Sequence, residues 1–129
     1  MATMADVLGT DLPDNAAEDS YSILPVLTQA SHPKPLRQAT VMHSTDGRFA
    51  IRKDDWKLIL WPGSGGWSHP RTEEDMNGLP HFQLYNLKID PAEATNLVSK
   101  YPKRVKELKT LLEKYVTGGR STPGAPQKN

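Results

Sequence analysis

The chain has 129 residues, which is one domain's worth at roughly 100–200 residues per domain. Its 16 Lys and Arg against 15 Asp and Glu leave a formal net charge of +1, too little for a general attraction to nucleic acid or an anionic membrane. The absence of Cys excludes disulfides, thiolate chemistry, iron–sulfur clusters and Cys-based zinc sites, and no apolar run approaches the ~20 residues that span a bilayer. A low apolar content, 36%, with 11 Pro and 9 Gly, predicts a modest core, long loops and a piece that leans on a larger body.

In chain order, Thr3–Leu8 reads as the last turns of a helix stopped by Gly9, with Met4, Val7 and Leu8 on one side. Asp11–Asn15 is turn-rich. Asp19 or Ser20 is placed to cap a short helical stretch through Leu24, near Pro25 and closed by Leu27. Gln29–Arg37, with Pro33 and Pro35, reads as an extended linker. Strands are expected over about 38–43, 48–52, 56–61 and 82–87. Asp46-Gly47 signals a tight hairpin with positive φ at both turn positions. Phe49 and Ile51 share one face, and Trp56, Leu58 and Leu60 share another. Pro62–Pro80 is a long loop, rich in Gly and then acidic, of the length that usually serves a function. Pro102–Val116 is the clearest helix: Val105, Leu108, Leu111, Leu112, Tyr115 and Val116 recur at helical spacing before Gly118-Gly119 stops it. Residues 121–129 read as a disordered tail. The expected fold is α+β: a four-stranded antiparallel sheet packed against a C-terminal amphipathic helix, with a remnant helix and linker at the N-terminus.

Motifs for familiar chemistry fail on inspection. Gly63-Ser64-Gly65-Gly66 is followed by Trp67 rather than by Lys-Ser/Thr and a helix, so it is not a phosphate loop. His32, His43, His69 and His81 lack a metal-ligand spacing. Charge is uneven. Residues 1–20 hold only acids, and residues 100–129 hold eight bases against Glu107 and Glu113. That pattern reads either as solvated faces or as a basic face for sulfated or phosphorylated polymers.

One stretch carries a name. Leu84-Tyr85-Asn86-Leu87-Lys88-Ile89-Asp90-Pro91-Ala92-Glu93-Ala94-Thr95-Asn96-Leu97 resembles a segment near the C-terminus of formylglycine-dependent sulfatases of the arylsulfatase type. Gly47–Arg52 with Asp55–Ile59, the loop Gly63–Ser68 and Asp19–Leu27 are similar to other passages of that family, so the resemblance covers about residues 3–122. In physical terms, Leu84 and Leu87 anchor a strand, Asp90-Pro91 starts a turn in which Glu93 can take free N–H groups, and Asn96-Leu97 tucks the chain back.

The resemblance implies residues 1–37 as a remnant of an N-terminal catalytic domain plus linker, and 38–120 as the sulfatase C-terminal subdomain. It implies a full-length parent that hydrolyses aryl or carbohydrate sulfate esters with formylglycine and calcium, and that is periplasmic or secreted. The nucleophile motif, Cys/Ser-x-Pro-x-Arg, is not met. Ser31-His32-Pro33-Lys34-Pro35 lacks the Arg, and Ser68-His69-Pro70-Arg71-Thr72 has it one place early. No catalytic residue, metal ligand or cofactor is therefore assigned to this chain, which is expected to be inactive alone. The resemblance sets His43, with Ser44, at the rim of the substrate pocket, and Trp67 and His69 on the long loop are further rim candidates. The partner implied is the N-terminal sulfatase domain. A homodimer through the exposed N-terminal surface is a second possibility, and neither nucleic acid nor membrane is expected. The alternative is a free-standing module for anionic or sulfated glycans, using His43, Trp67 and the basic helix.

Overall fold

Alternating apolar residues at the middle of the chain form a meander of four short strands: β1 (Thr40–His43), β2 (Phe49–Lys53), β3 (Trp56–Ile59) and β4 (Gln83–Asn86), all antiparallel in the order β1-β2-β3-β4. The computed structural model describes residues 1–29, 31–32 and 34–127. Ala30 and Pro33 of the expected linker, and Lys128 and Asn129 of the expected tail, lie outside the described residues. The chain divides into two compact units, 39–112 and 1–38 with 113–129.

In the larger unit the register stacks Val41, Ile51, Leu58 and Leu84 in one row across the sheet. Ile51, Leu58 and Leu84 are fully buried beneath Leu108 of helix α4 (Pro102–Gly118), and Leu112 is buried one turn further on. Each fully buried aliphatic side chain contributes ~1.5–3 kcal/mol. The same face carries Trp56, whose ring meets Tyr101 edge-on at 5.1 Å, and Lys53, whose Nζ lies 2.7 Å from Glu107. The fold is thus α+β, a sheet with one face on a helix. Val105 and Leu111 are half-buried, whereas Val116, expected in the stripe, is exposed.

The hairpin β1–β2 turns differently from the expected two-residue form. Thr45 and Asp46 make the turn, the Gly47 N–H donates to Ser44 O, and of Asp46 and Gly47 only Gly47 takes a positive φ, 73°. This is the three-residue connection, in which one left-handed residue matches the strand twist. At the β2–β3 turn Asp54 takes φ 54°, a region Asp tolerates.

The signature after β4 works as an edge staple. Asn96 Oδ1 accepts from the Leu84 N–H and Asn96 Nδ2 donates to Phe82 O, so one side chain satisfies the outer edge of β4. Leu97 N–H adds a bond to Leu84 O. The expected role of Glu93 is filled by Asp90 instead, whose carboxylate takes the N–H groups of Ala94 and Thr95. Glu93 has a positive φ, 56°, which sends its carboxylate to Lys57 Nζ at 2.7 Å.

In the smaller unit, α1 (Ala2–Leu8) ends on Gly9 at φ 62° with a Schellman pair of bonds, Thr10 N–H to Ala5 O and Gly9 N–H to Asp6 O. The second helix, α2 (Leu24–Thr28), starts where the sequence reading expected one to end. Pro25 fits the first turn of a helix, where its missing N–H costs nothing. Asp19, expected as a cap, accepts the Ser121 N–H. The described part of the expected tail, 121–127, is hydrogen-bonded to residues 14–21: Tyr21 Oη donates to Ser121 O, Thr122 Oγ1 to Glu18 O, and Arg120 reaches Asp14. These bonds tie the end of the chain to the N-terminal segment.

Candidate functional site

The tip of the β1–β2 hairpin and the long loop meet. Asp46 N–H donates to Gly65 O, and Ser44 packs under Gly65 so tightly that a Cβ on Gly65 would fall 2.5 Å from Ser44 Oγ and 2.9 Å from Ser44 Cβ. Gly65 also needs φ 64°. Gly65→Ala is therefore expected to cost about 1–3 kcal/mol at this contact. Amide exchange at Asp46 should accelerate while the β2–β3 amides stay protected; unchanged exchange at Asp46 would contradict the contact.

The loop 61–80 has its own internal order. Gln83 Nε2, on the sheet face away from α4, donates to both Trp61 O and Gly63 O and fixes the root of the loop. The Arg48 guanidinium lies 3.5 Å over the Trp61 ring. Ser64 N–H bonds Pro70 O, and Ser64 Oγ donates to Ser68 O. A one-turn helix, α3 (Glu73–Met76), which the sequence reading missed, opens with a capping box. Asp75 N–H donates to Thr72 Oγ1 and the Asp75 carboxylate takes the Thr72 N–H.

Each candidate residue has a defined setting. His43, exposed at the end of β1, stands edge-on to Phe49 at 6.5 Å. Its Nδ1 is 2.9 Å from Ser44 O, and because a carbonyl only accepts, Nδ1 carries the proton and Nε2 is left for a ligand. Ser44 Oγ accepts the Arg48 N–H. Trp67 is 81% exposed, a large apolar surface with nothing of this chain over it. His69 Nδ1 lies 3.0 Å from Asp75 Oδ2, with the ring otherwise in solvent. Among the described residues no hydrogen bond or ring contact joins Trp67 or His69 to His43. The structure brings the His43–Ser44 hairpin tip onto the loop that carries Trp67 and His69.

The N–H groups of Thr72 and Arg71, then His69, hold the Asp75 carboxyl well below its ordinary 3.8. A depressed folded value means the cap contributes fully above 3.8 and is lost as pH falls through the lower, folded value. A carboxyl-carbon NMR titration should show Asp75 still ionised when exposed aspartates have protonated. A midpoint at 3.8 or above would contradict the capping box.

Among the described residues no group of three His, Asp or Glu could hold a metal ion, so a calcium site does not fit the side chains present. Two features escaped the sequence reading: the Arg48–Trp61 stack, and a basic cavity at the start of α4 described below. The first had a signal in the quoted Gly47-Arg48-Phe49. The second was visible only as charge.

The fold defines a small α+β subdomain whose sheet presents a hairpin tip and an ordered loop on one rim. No family model matches the chain. It is 33% identical, over 90% of its length and 22% of the relative's, to an N-acetylgalactosamine-6-O-sulfatase of Bacteroides thetaiotaomicron. It is 29% identical, over 86% of its length and 19% of the relative's, to an N-acetylglucosamine-6-O-sulfatase of the same organism. Among solved structures, one from that bacterium, described with its metabolism of multiple glycosaminoglycans, superposes with TM-score 0.68 at 33% identity, covering 88% of this chain and 23% of that one. In sequence and fold the chain matches the C-terminal subdomain of sulfatases. It spans about a fifth of the length of the curated relatives it matches.

Proposed function

We propose that this subdomain forms part of the substrate-pocket rim of a sulfatase that cleaves a 6-O-sulfate from a hexosamine of a glycosaminoglycan. The observation that carries the reading is the 33% identity across 90% of the chain with an N-acetylgalactosamine-6-O-sulfatase. The second relative, also a 6-O-sulfatase of an amino sugar, supports the same substrate class. His43 Nε2 offers a neutral acceptor or a cationic donor to a sugar hydroxyl or sulfate, and the bare face of Trp67 offers a surface on which a pyranose ring stacks. His69 presents its Nε2 from the same loop while Asp75 holds its other nitrogen. The formylglycine nucleophile and calcium ion that the family implies belong to the catalytic part of such an enzyme, since the residues here fit neither.

Residues 1–37 are assigned to the catalytic side of the boundary. On α1 and α2, Met4, Val7, Leu8, Val26 and Leu27 are all exposed, an apolar surface suited to lie against that domain. In the 129-residue chain alone the same surface is expected to self-associate. Light scattering should show dimers that Leu8→Asp with Leu27→Asp returns to monomers; a strict monomer at high concentration would contradict this.

The rim is tested in the N-acetylgalactosamine-6-O-sulfatase relative with its matching C-terminal segment exchanged for this chain. His43→Ala with Trp67→Ala should raise KM for a 6-sulfated oligosaccharide by about tenfold and leave kcat within about threefold, since these groups bind without joining the chemistry. Turnover of a small aryl sulfate should be unaffected. Unchanged KM for the oligosaccharide would remove these residues from the rim.

A further inference from the structure

At the opposite end of the sheet from the rim, the segment that opens α4 lines an open cavity of about 430 Å³ with Lys100, Tyr101, Pro102, Lys103, Arg104 and Glu107. Its one carboxylate is already engaged: Glu107 meets Lys53 Nζ at 2.7 Å and Arg104 Nη1 at 2.6 Å. No carboxylate among the described residues pairs with Lys100 or Lys103. One wall is the Tyr101 ring, with Lys100 Nζ 5.7 Å from its centre. Tyr101, 38% exposed, leans on Trp56, and the Arg104 guanidinium sits 5.5 Å over the Trp56 ring. The charges also run against the local rule. The start of a helix is its positive end and favours acids, yet the first turn of α4 holds none and gathers three cations around it. Glu107 compensates Arg104, so the rule stays broken at Lys100 and Lys103, the two cations without a carboxylate, which is where an outside anion would complete the site.

We propose that this cavity is a second, non-catalytic binding site for the sulfated glycan chain itself. Lys100 and Lys103 hold sulfate groups and the Tyr101 ring packs against a sugar. The proposal rests on the glycosaminoglycan reading and deepens it. Lys53 and Phe49 are the two ends of β2, about 13 Å apart along the strand. Phe49 touches His43 of the rim, and Lys53 touches Glu107 of the cavity. Both lie on the helix side of the sheet, so the two sites are spaced for a polymer and not for a single sugar. Cations beside a part-exposed ring fit a sulfated saccharide, which brings anionic groups and a pyranose face together in one ligand.

The test is direct binding of the 129-residue chain to a chondroitin 6-sulfate dodecasaccharide, followed by calorimetry in low salt. Binding should weaken as salt rises, and chemically desulfated chondroitin should not bind. Lys100→Glu with Lys103→Glu should lower affinity by roughly tenfold or more. Lys106→Glu with Lys114→Glu, the same charge change away from the cavity, should lower it less than about threefold. Because the first pair also relieves the helix-end repulsion, it should melt no lower than the parent chain. Loss of binding there therefore cannot be put down to unfolding. Equal loss in both pairs would reduce the site to diffuse surface charge and overturn the proposal, as would equal binding of desulfated chondroitin or no binding at all. The rim and the cavity then fail separately: intact binding with an unchanged KM in the exchanged enzyme defeats the rim alone, and the reverse pattern defeats the cavity alone.

Discussion

Leu58→Ala is expected to lower the melting temperature of the chain by about 15 °C. Leu58 has no exposed surface and sits at the centre of the buried row, paired with Ile51 on one side and Leu84 on the other. A Leu-to-Ala change at such a position costs about 2–5 kcal/mol, part of it the void that neighbours cannot close. The core is small: nine buried apolar residues in all among those described, three of them Ala. There is little else to absorb the loss when total stability is about 5–15 kcal/mol, and at this size each kcal/mol moves the midpoint by about 4–8 °C. Met42→Ala, at a part-exposed site on the other face of the edge strand, is the matched control and should shift it by less than about 3 °C. Thermal melts followed by circular dichroism decide the matter. Similar small shifts for both variants would mean that the row does not hold the sheet to the helix.

The second large effect is expected at Arg120, whose side chain is only 9% exposed. Its Nη1 donates to Asp14 O, Asp14 Oδ1 and Ala125 O, each at 3.0 Å, and its Nη2 to Thr122 Oγ1, also at 3.0 Å. One planar group therefore joins the N-terminal segment to the end of the chain at four acceptors. Arg120→Ala leaves those acceptors to water, and Arg120→Lys cannot span them with a point-like ammonium. In both variants, residues 120–127 should become cleavable by protease, and the Thr122 amide should exchange more than about tenfold faster. Amides of β2 and β3 should not change. The Asp14 carboxyl is held below its ordinary 3.8 first by the Ala125 N–H and then by Arg120. In the parent chain the same segment should thus keep its protection above 3.8 and lose it only as acid titrates through the lowered folded value. Protection of Thr122 that survives Arg120→Ala would contradict this role.

How much of this was legible in the sequence follows from how local each interaction is. The strands and α4 could be read because alternation and helical spacing are properties of neighbouring residues. So could Gly9 and Gly119, both at φ 62°, where a helix must end in a left-handed residue. The turn of β1–β2 was read one residue out because Asp46-Gly47 fits two hairpin types, and only pairing across the strands, Ser44 N–H to Arg48 O, selects the longer one. The helix α3 was missed although Thr72-Glu73-Glu74-Asp75 carries a capping-box pattern, because its flanks offer no apolar stripe. The free N–H groups expected on Glu93 fall to Asp90, because the positive φ that turns Glu93 toward Lys57 leaves no trace in residue type. Arg120 could not be read at all, since its partner Asp14 lies 106 positions away. At the candidate site, the sequence and its family resemblance supplied His43, Ser44, Trp67 and His69. The contact of Ser44 with Gly65, which sets hairpin against loop, and the partner of His69 emerged only from the fold. The basic cavity was visible as charge but not as a cavity, because the engagement of Glu107 by Lys53 is a contact between strand and helix.

The central claim, that this subdomain shapes a substrate site whose chemistry is carried elsewhere, is tested most directly by sulfate release from an N-acetylgalactosamine-6-sulfated oligosaccharide. The measurement compares the 129-residue chain alone with the sulfatase relative carrying it in place of its own matching segment. The account predicts calcium-dependent release from the exchanged enzyme and none from the chain alone. Calcium-dependent release by the isolated chain, or a folded exchanged enzyme that releases nothing, would contradict it.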